Sequence, residues 1–148
     1  MTTIPVSWSA IAPEVVLLCC ACVLLAGAIF LPATLARLAA PVVAGGGLLA
    51  ALAIVAGQFG DTARYAFDGT LRIDDFGQAA RLIVFAAALL AVLLSWGVEW
   101  MQQRSTEYHA LLLCAAGGMS LLAVSSSFVT LFVALELFSI CLYVLMAM

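Results

Sequence analysis

A single carboxylate, Glu136, interrupts the apolar run from Phe128 to Met148. A helix starting at Phe128 rises ~1.5 Å per residue, which carries Glu136 roughly 12 Å along it, not far from the midplane of a ~30 Å hydrocarbon core. A charge at that depth costs on the order of 2.5–3.5 kcal/mol, so a carboxylate found there is first of all a candidate for function. A carboxyl in hydrocarbon keeps its proton, while a nearby cation favours the anion. A pair of such groups whose separation changes can therefore move a proton, and Glu136 is the candidate proton-transfer residue. The structural alternative is a hydrogen bond to another helix, for example to a Ser or Tyr; Ser139 and Tyr143 lie three and seven residues on and share its face. The chain contains no Lys, and its five Arg all lie near segment ends. The counter-charge for Glu136 is therefore expected from outside this chain.

Other residues carry weaker chemistry. His109, the single histidine, can shuttle protons because histidine changes charge between about pH 5 and 8. Its place at the edge of an apolar span suits a plain interfacial residue better. Cys19, Cys20 and Cys22 cluster, with Cys114 and Cys141 elsewhere, all inside apolar spans. Thiolate ligation of a metal there would place charged sulfur at membrane depth, so the thiols read as small apolar packing residues. Asp74-Asp75 can bind a metal, but the pair fits better as N-cap and first-turn acid of a helix. Gly45-Gly46-Gly47 lack the preceding strand and following basic residue of a phosphate loop, and read as a close-packing site. No nucleotide fingerprint or iron–sulfur cysteine pattern is present.

The elements that must hold these residues are membrane helices. Of 148 residues 67% are hydrophobic and only 9% charged, with a mean hydropathy of +1.26; a lipid-embedded helical bundle is the class that fits. Continuous rather than alternating apolar runs exclude a membrane β-barrel. Scattered Arg and a net charge of −3 give no basic patch for nucleic acid or anionic lipid. The first thirteen residues carry no Lys or Arg, so the charged region of a signal peptide is missing.

Five transmembrane helices are predicted, at about 13–32, 38–59, 76–98, 108–124 and 128–148. Pro13-Glu14 suits a first helical turn, and Pro32 to Pro41 reads as a turn. Asp68-Gly69 between short alternating runs predicts an extramembrane β-hairpin over 62–74. Arg81, near the start of the third span, is placed to snorkel to the interface. Trp8, Trp96 and Trp100 read as interfacial anchors, and Gly117-Gly118 as a second close-packing site. Ser125-Ser126-Ser127 predicts a tight turn that makes the fourth and fifth spans antiparallel neighbours. Arg37 and Arg104 fall on one side and Arg64, Arg72 and Arg81 on the other, so the positive-inside rule nearly ties.

Several of these segments resemble one family. Pro13-Glu14, the hairpin running into Asp74-Asp75-Phe76, the run Glu107-Tyr108-His109-Ala110-Leu111-Leu112-Leu113 and, most of all, Leu131-Phe132-Val133-Ala134-Leu135-Glu136-Leu137-Phe138-Ser139-Ile140-Cys141-Leu142-Tyr143-Val144-Leu145 look like the N-terminal part of the subunit N family of proton-pumping NADH:quinone oxidoreductase (complex I). They are also similar to the wider antiporter-like subunits. The resemblance covers essentially the whole chain, and the Glu-bearing motif is its specific part. It implies a subunit of about fourteen helices with two inverted five-helix repeats. Glu136 matches a Glu that pairs with a Lys in a broken seventh helix, and the pair governs proton transfer along a hydrated axis. That Lys lies outside this chain, which ends inside an apolar run and reads as a truncated part of such a subunit.

The resemblance further implies other membrane subunits as partners and a bacterial inner membrane as location. It places the N-terminus and hairpin on the periplasmic side. NADH and quinone would be used by the assembled complex, with no cofactor in this chain. The alternatives are a non-catalytic membrane scaffold or fragment, or a subunit of a cation/proton antiporter or membrane hydrogenase.

Overall fold

The computed structural model describes residues 8–30, 32–60, 62–96 and 104–148. After a 3-10 turn at Trp8–Ala10 come α1 (Ala12–Phe30), α2 (Ala33–Gly57), β1 (Arg64–Ala66), β2 (Leu71–Ile73), α3 (Asp75–Ser95), α4 (Ser105–Val124) and α5 (Phe128–Ala147). All five α-helices are long and apolar enough to cross a membrane. The expected all-α bundle with a hairpin between its second and third helices is the architecture found.

Local chemistry sets most boundaries. Asp74 is the N-cap of α3: its extended backbone leaves Oδ1 to accept from Gly77 N at 2.8 Å. Asp75 lies in the first turn, where its Oδ1 accepts from Gly60 N at 3.3 Å. The hairpin pairs Arg64 with Ile73, Tyr65 with Arg72 and Ala66 with Leu71. At its tip Thr70 N donates to Phe67 O at 3.2 Å. The two residues between, Asp68 and Gly69, have φ of 56° and 82°. Positive φ at both central positions is the conformation Asp-Gly tolerates, and Phe67 before them, at φ 51°, is left-handed as well. Leu71 and Ile73 turn inward onto Ala10, Ala66 and Val124, and Ser126 N donates to Thr70 O at 2.8 Å. The hairpin is thus docked on the α4–α5 turn.

The start of α2 differs from expectation. Pro32 to Pro41 is not a turn: Pro32 is the N-cap, and the helix runs on through Pro41. Proline inside a helix removes one N–H and orphans the carbonyl four residues back, here that of Arg37. Ser105 Oγ of α4 reaches this carbonyl at 3.5 Å. Neighbouring hydroxyls of this kind are what let membrane helices tolerate an internal proline. The expected end of the third span and Trp100 lie outside the described residues.

Helix α4 is central. It packs on α1, α2, α3 and α5, while α5 packs chiefly on α4. Three glycines permit the closest approaches, and at Gly77 a Cβ would meet Val124 Cγ1 at 3.0 Å. A Cβ on Gly47 would meet Cys20 Sγ at 2.8 Å, and one on Gly118 would meet Phe138 N at 3.0 Å and Ala134 O at 3.2 Å. Gly118→Val therefore drives a side chain into the α5 backbone and is expected to cost about 1–3 kcal/mol. Unfolding the chain from lipid–detergent micelles checks this. Equal stability of the variant would mean that the α4–α5 contact is looser than described.

Candidate functional site

Glu136 lies on α5 level with Gly118, because Ala134 and Phe138 flank it on the face that packs against that glycine. The side chain is exposed on the outside of the bundle. Among the described residues it makes no hydrogen bond and no ion pair; the alternative, a hydrogen bond to a Ser or Tyr, is not formed among them, and Tyr143 on the same face is itself 70% exposed. Only Ala134 and Cys141 of α5 are buried. The helix thus presents the carboxylate outward, midway along a span long and apolar enough to cross a membrane, on an otherwise apolar surface. Such an arrangement can hold a proton, or pair with a cation brought by another helix.

A second polar group was missed from the sequence. Arg81 does not snorkel. It is 0% exposed, seven residues into α3, and faces the bundle interior. Its Nη2 donates to Glu14 Oε1 at 2.6 Å and to Ala10 O at 3.0 Å, Nη1 donates to Gln78 Oε1 at 3.3 Å, and Nε donates to Ser120 Oγ at 3.2 Å. Ser120 Oγ in turn donates to Glu14 Oε1. Gln78 Nε2 donates to Gln58 Oε1 at 3.1 Å, and Gln58 Nε2 to Ser9 O at 2.8 Å. One network therefore joins α1, α3 and α4 to the end of α2 and the N-terminal turn. Because these partners satisfy the guanidinium, it need not reach the interface. Glu136 is accordingly not the only charge within the helices, and Arg81, held by Glu14, is no counter-ion for it.

The remaining candidates sort by contact. His109 is buried, 3% exposed, against Ser95 and Ser105, so it is not a plain interfacial side chain. Cys20 packs on Gly47 as a small apolar group. Asp74 caps α3 and Asp75 is its first-turn acid, bound to Gly60 N, and Arg72 Nε pairs with Asp74 Oδ2 at 3.1 Å. Among the described residues no cluster of His, Cys, Asp or Glu is arranged to hold a metal.

Five spans around a polar network define an integral membrane protein of the polytopic helical class. No protein-family model matches the chain, but individual proteins do. It is 33% identical over 147 residues to NADH-quinone oxidoreductase subunit N of Geobacillus sp. strain WCH70, covering 97% of this chain and 30% of that protein. It is 34% identical over 144 residues to subunit N 2 of Roseiflexus castenholzii, covering 95% of this chain and 28% of that one. It is also 34% identical over 142 residues to subunit N of Geobacillus kaustophilus, at 93% and 28% coverage. The chain is homologous to an N-terminal part of NADH-quinone oxidoreductase subunit N. It spans less than a third of the length of these relatives.

Proposed function

We propose that the chain forms the first five helices of a membrane-arm subunit in a proton-translocating NADH:quinone oxidoreductase, and that Glu136 supplies the acid of a proton-transfer ion pair. The observation that carries this reading is the position of Glu136. It is a carboxylate midway along a span long and apolar enough to cross a membrane, turned away from its own bundle, with no cation among the described residues to meet it. The names of the relatives support the choice of complex. Lys in a further helix is the fitting partner, since an ammonium on a long stem shifts its proton affinity readily when buried. In this reading the other partners are membrane subunits of the same complex, and NADH and quinone react elsewhere in it. The location is a bacterial inner membrane, with the hairpin on the periplasmic side.

The test is a photo-crosslinking side chain at Tyr143, which lies two helical turns from Glu136 on the same outward face. In the assembled membrane complex the crosslink is expected to fall on a Lys-bearing helix. Labelling of lipid alone would show that this face has no protein partner and would remove the ion pair.

A further inference from the structure

The bundle end away from the hairpin carries a polar site that the Glu136 reading does not use. There His109 Nδ1 lies 2.6 Å from Ser105 O, a carbonyl that only accepts, so Nδ1 carries a hydrogen. His109 Nε2 lies 3.1 Å from Ser95 Oγ, and that hydroxyl also lies 2.7 Å from Val92 O. A serine hydroxyl has one hydrogen to give and lone pairs to receive. When it donates to Val92 O, its oxygen can accept from a protonated Nε2, and the ring is an imidazolium. When it turns to donate to Nε2, the ring is neutral with its hydrogen on Nδ1. One rotation of the Ser95 hydroxyl therefore satisfies both protonation states without moving the ring or a helix. Val92 is among the last four residues of α3, whose carbonyls lack helical partners, so the hydroxyl has a real acceptor to turn to.

The site also has room for water. A cavity of about 80 Å³ is lined by Arg37, Pro41, Ser95, Trp96, Ser105 and His109, against the roughly 10–15 Å³ that one water needs. Around the ring, α2 contributes Arg37, an exposed cation that opposes the imidazolium. Helix α3 contributes Ser95 and Trp96, neither of which ionises near neutral pH. On α4 itself the Tyr108 ring stands edge-on at 5.2 Å between centroids, and Glu107 is exposed. Near this end α1 offers Val23, Leu24 and Gly27 against Thr106, and α5 ends in Val144–Ala147; none of these ionises.

We propose that His109, with the Ser95 hydroxyl as its switch and this cavity as its access, is a proton-exchange site at the bundle end opposite the hairpin. It stands independently of the assignment of Glu136, and either can fail without the other. The single histidine makes the test direct: the full chain is labelled with 15N-histidine in lipid nanodiscs, and one imidazole is followed by NMR from pH 5 to 8.5. The expected result is reversible protonation at Nε2, with Nδ1 protonated throughout. Ser95→Ala removes the charge-assisted acceptor and lowers the midpoint by about one pH unit, and Ser95→Thr restores it. A ring that stays in one state across this range overturns the proposal, as does a midpoint that Ser95→Ala leaves unmoved.

Discussion

Arg81→Met is expected to destabilise the folded chain by about 3–5 kcal/mol, the cost of leaving a buried partner charge uncompensated. The reason lies in what Arg81 holds. Glu14 is 2% exposed, and among the described residues its cation is Arg81 alone. Removing the guanidinium also strips Ala10 O of a donor, and leaves Gln78 Oε1 without one inside the bundle. The double variant Glu14→Leu/Arg81→Met deletes both charges and is expected to recover most of the loss, because apolar replacement of a whole buried pair is often neutral or better. Arg81→Lys keeps the charge but lacks the fork that reaches four acceptors on three helices and the N-terminal turn, so it should fall between. Reversible unfolding of the purified chain in lipid–detergent micelles measures all three. A single variant within about 0.5 kcal/mol of the parent, the range of ordinary surface substitutions, would mean that the network is not a source of stability.

This network also shows where sequence reading stopped. The hairpin, the Asp74 cap and the close packing at Gly47 and Gly118 depend on residue types a few positions apart, and each was legible. The Glu14–Arg81 pair joins residues 67 apart, and no local rule encodes it. A trace was nonetheless present. Gly77, Gln78, Arg81, Phe85, Ala88, Val92 and Ser95 recur at helical spacing and form the buried stripe of α3. Lipid contributes to the difficulty, because the surface of a membrane helix is as apolar as its core. The interior face is therefore marked by small and polar residues rather than by hydrophobic ones. On α4 the same logic marks Ser105, Thr106, His109, Gly117 and Ser120, all buried. The run of α2 through Pro41 was missed because the Ser105 hydroxyl that serves the freed carbonyl lies two helices further on.

The same inversion makes Glu136 the more telling residue, since it sits on the outer face where lipid or another helix must meet it. If Glu136 is the acid of the proposed proton-transfer pair, Glu136→Gln in the assembled complex is expected to reduce proton transfer at this site on the order of 10²-fold, the lower end of what a positioned acid–base group contributes. Glutamine keeps the size and hydrogen-bonding reach of the side chain but neither releases nor binds a proton near neutral pH. Assembly should therefore survive while translocation fails. If the acid pairs with a buried Lys, the neutral variant also removes that ammonium's counter-charge, and the ammonium is then pushed towards its neutral form. Both halves of the pair stall together, and NADH:quinone turnover slows with them where electron and proton transfer are coupled. Glu136→Asp retains the carboxylate one methylene shorter and should keep part of the activity. Proton uptake by vesicles carrying the complete complex, normalised to NADH oxidation, separates these outcomes. An assembled Glu136→Gln complex that pumps with unchanged yield and rate would remove Glu136 from the proton path and leave it a polar contact between helices.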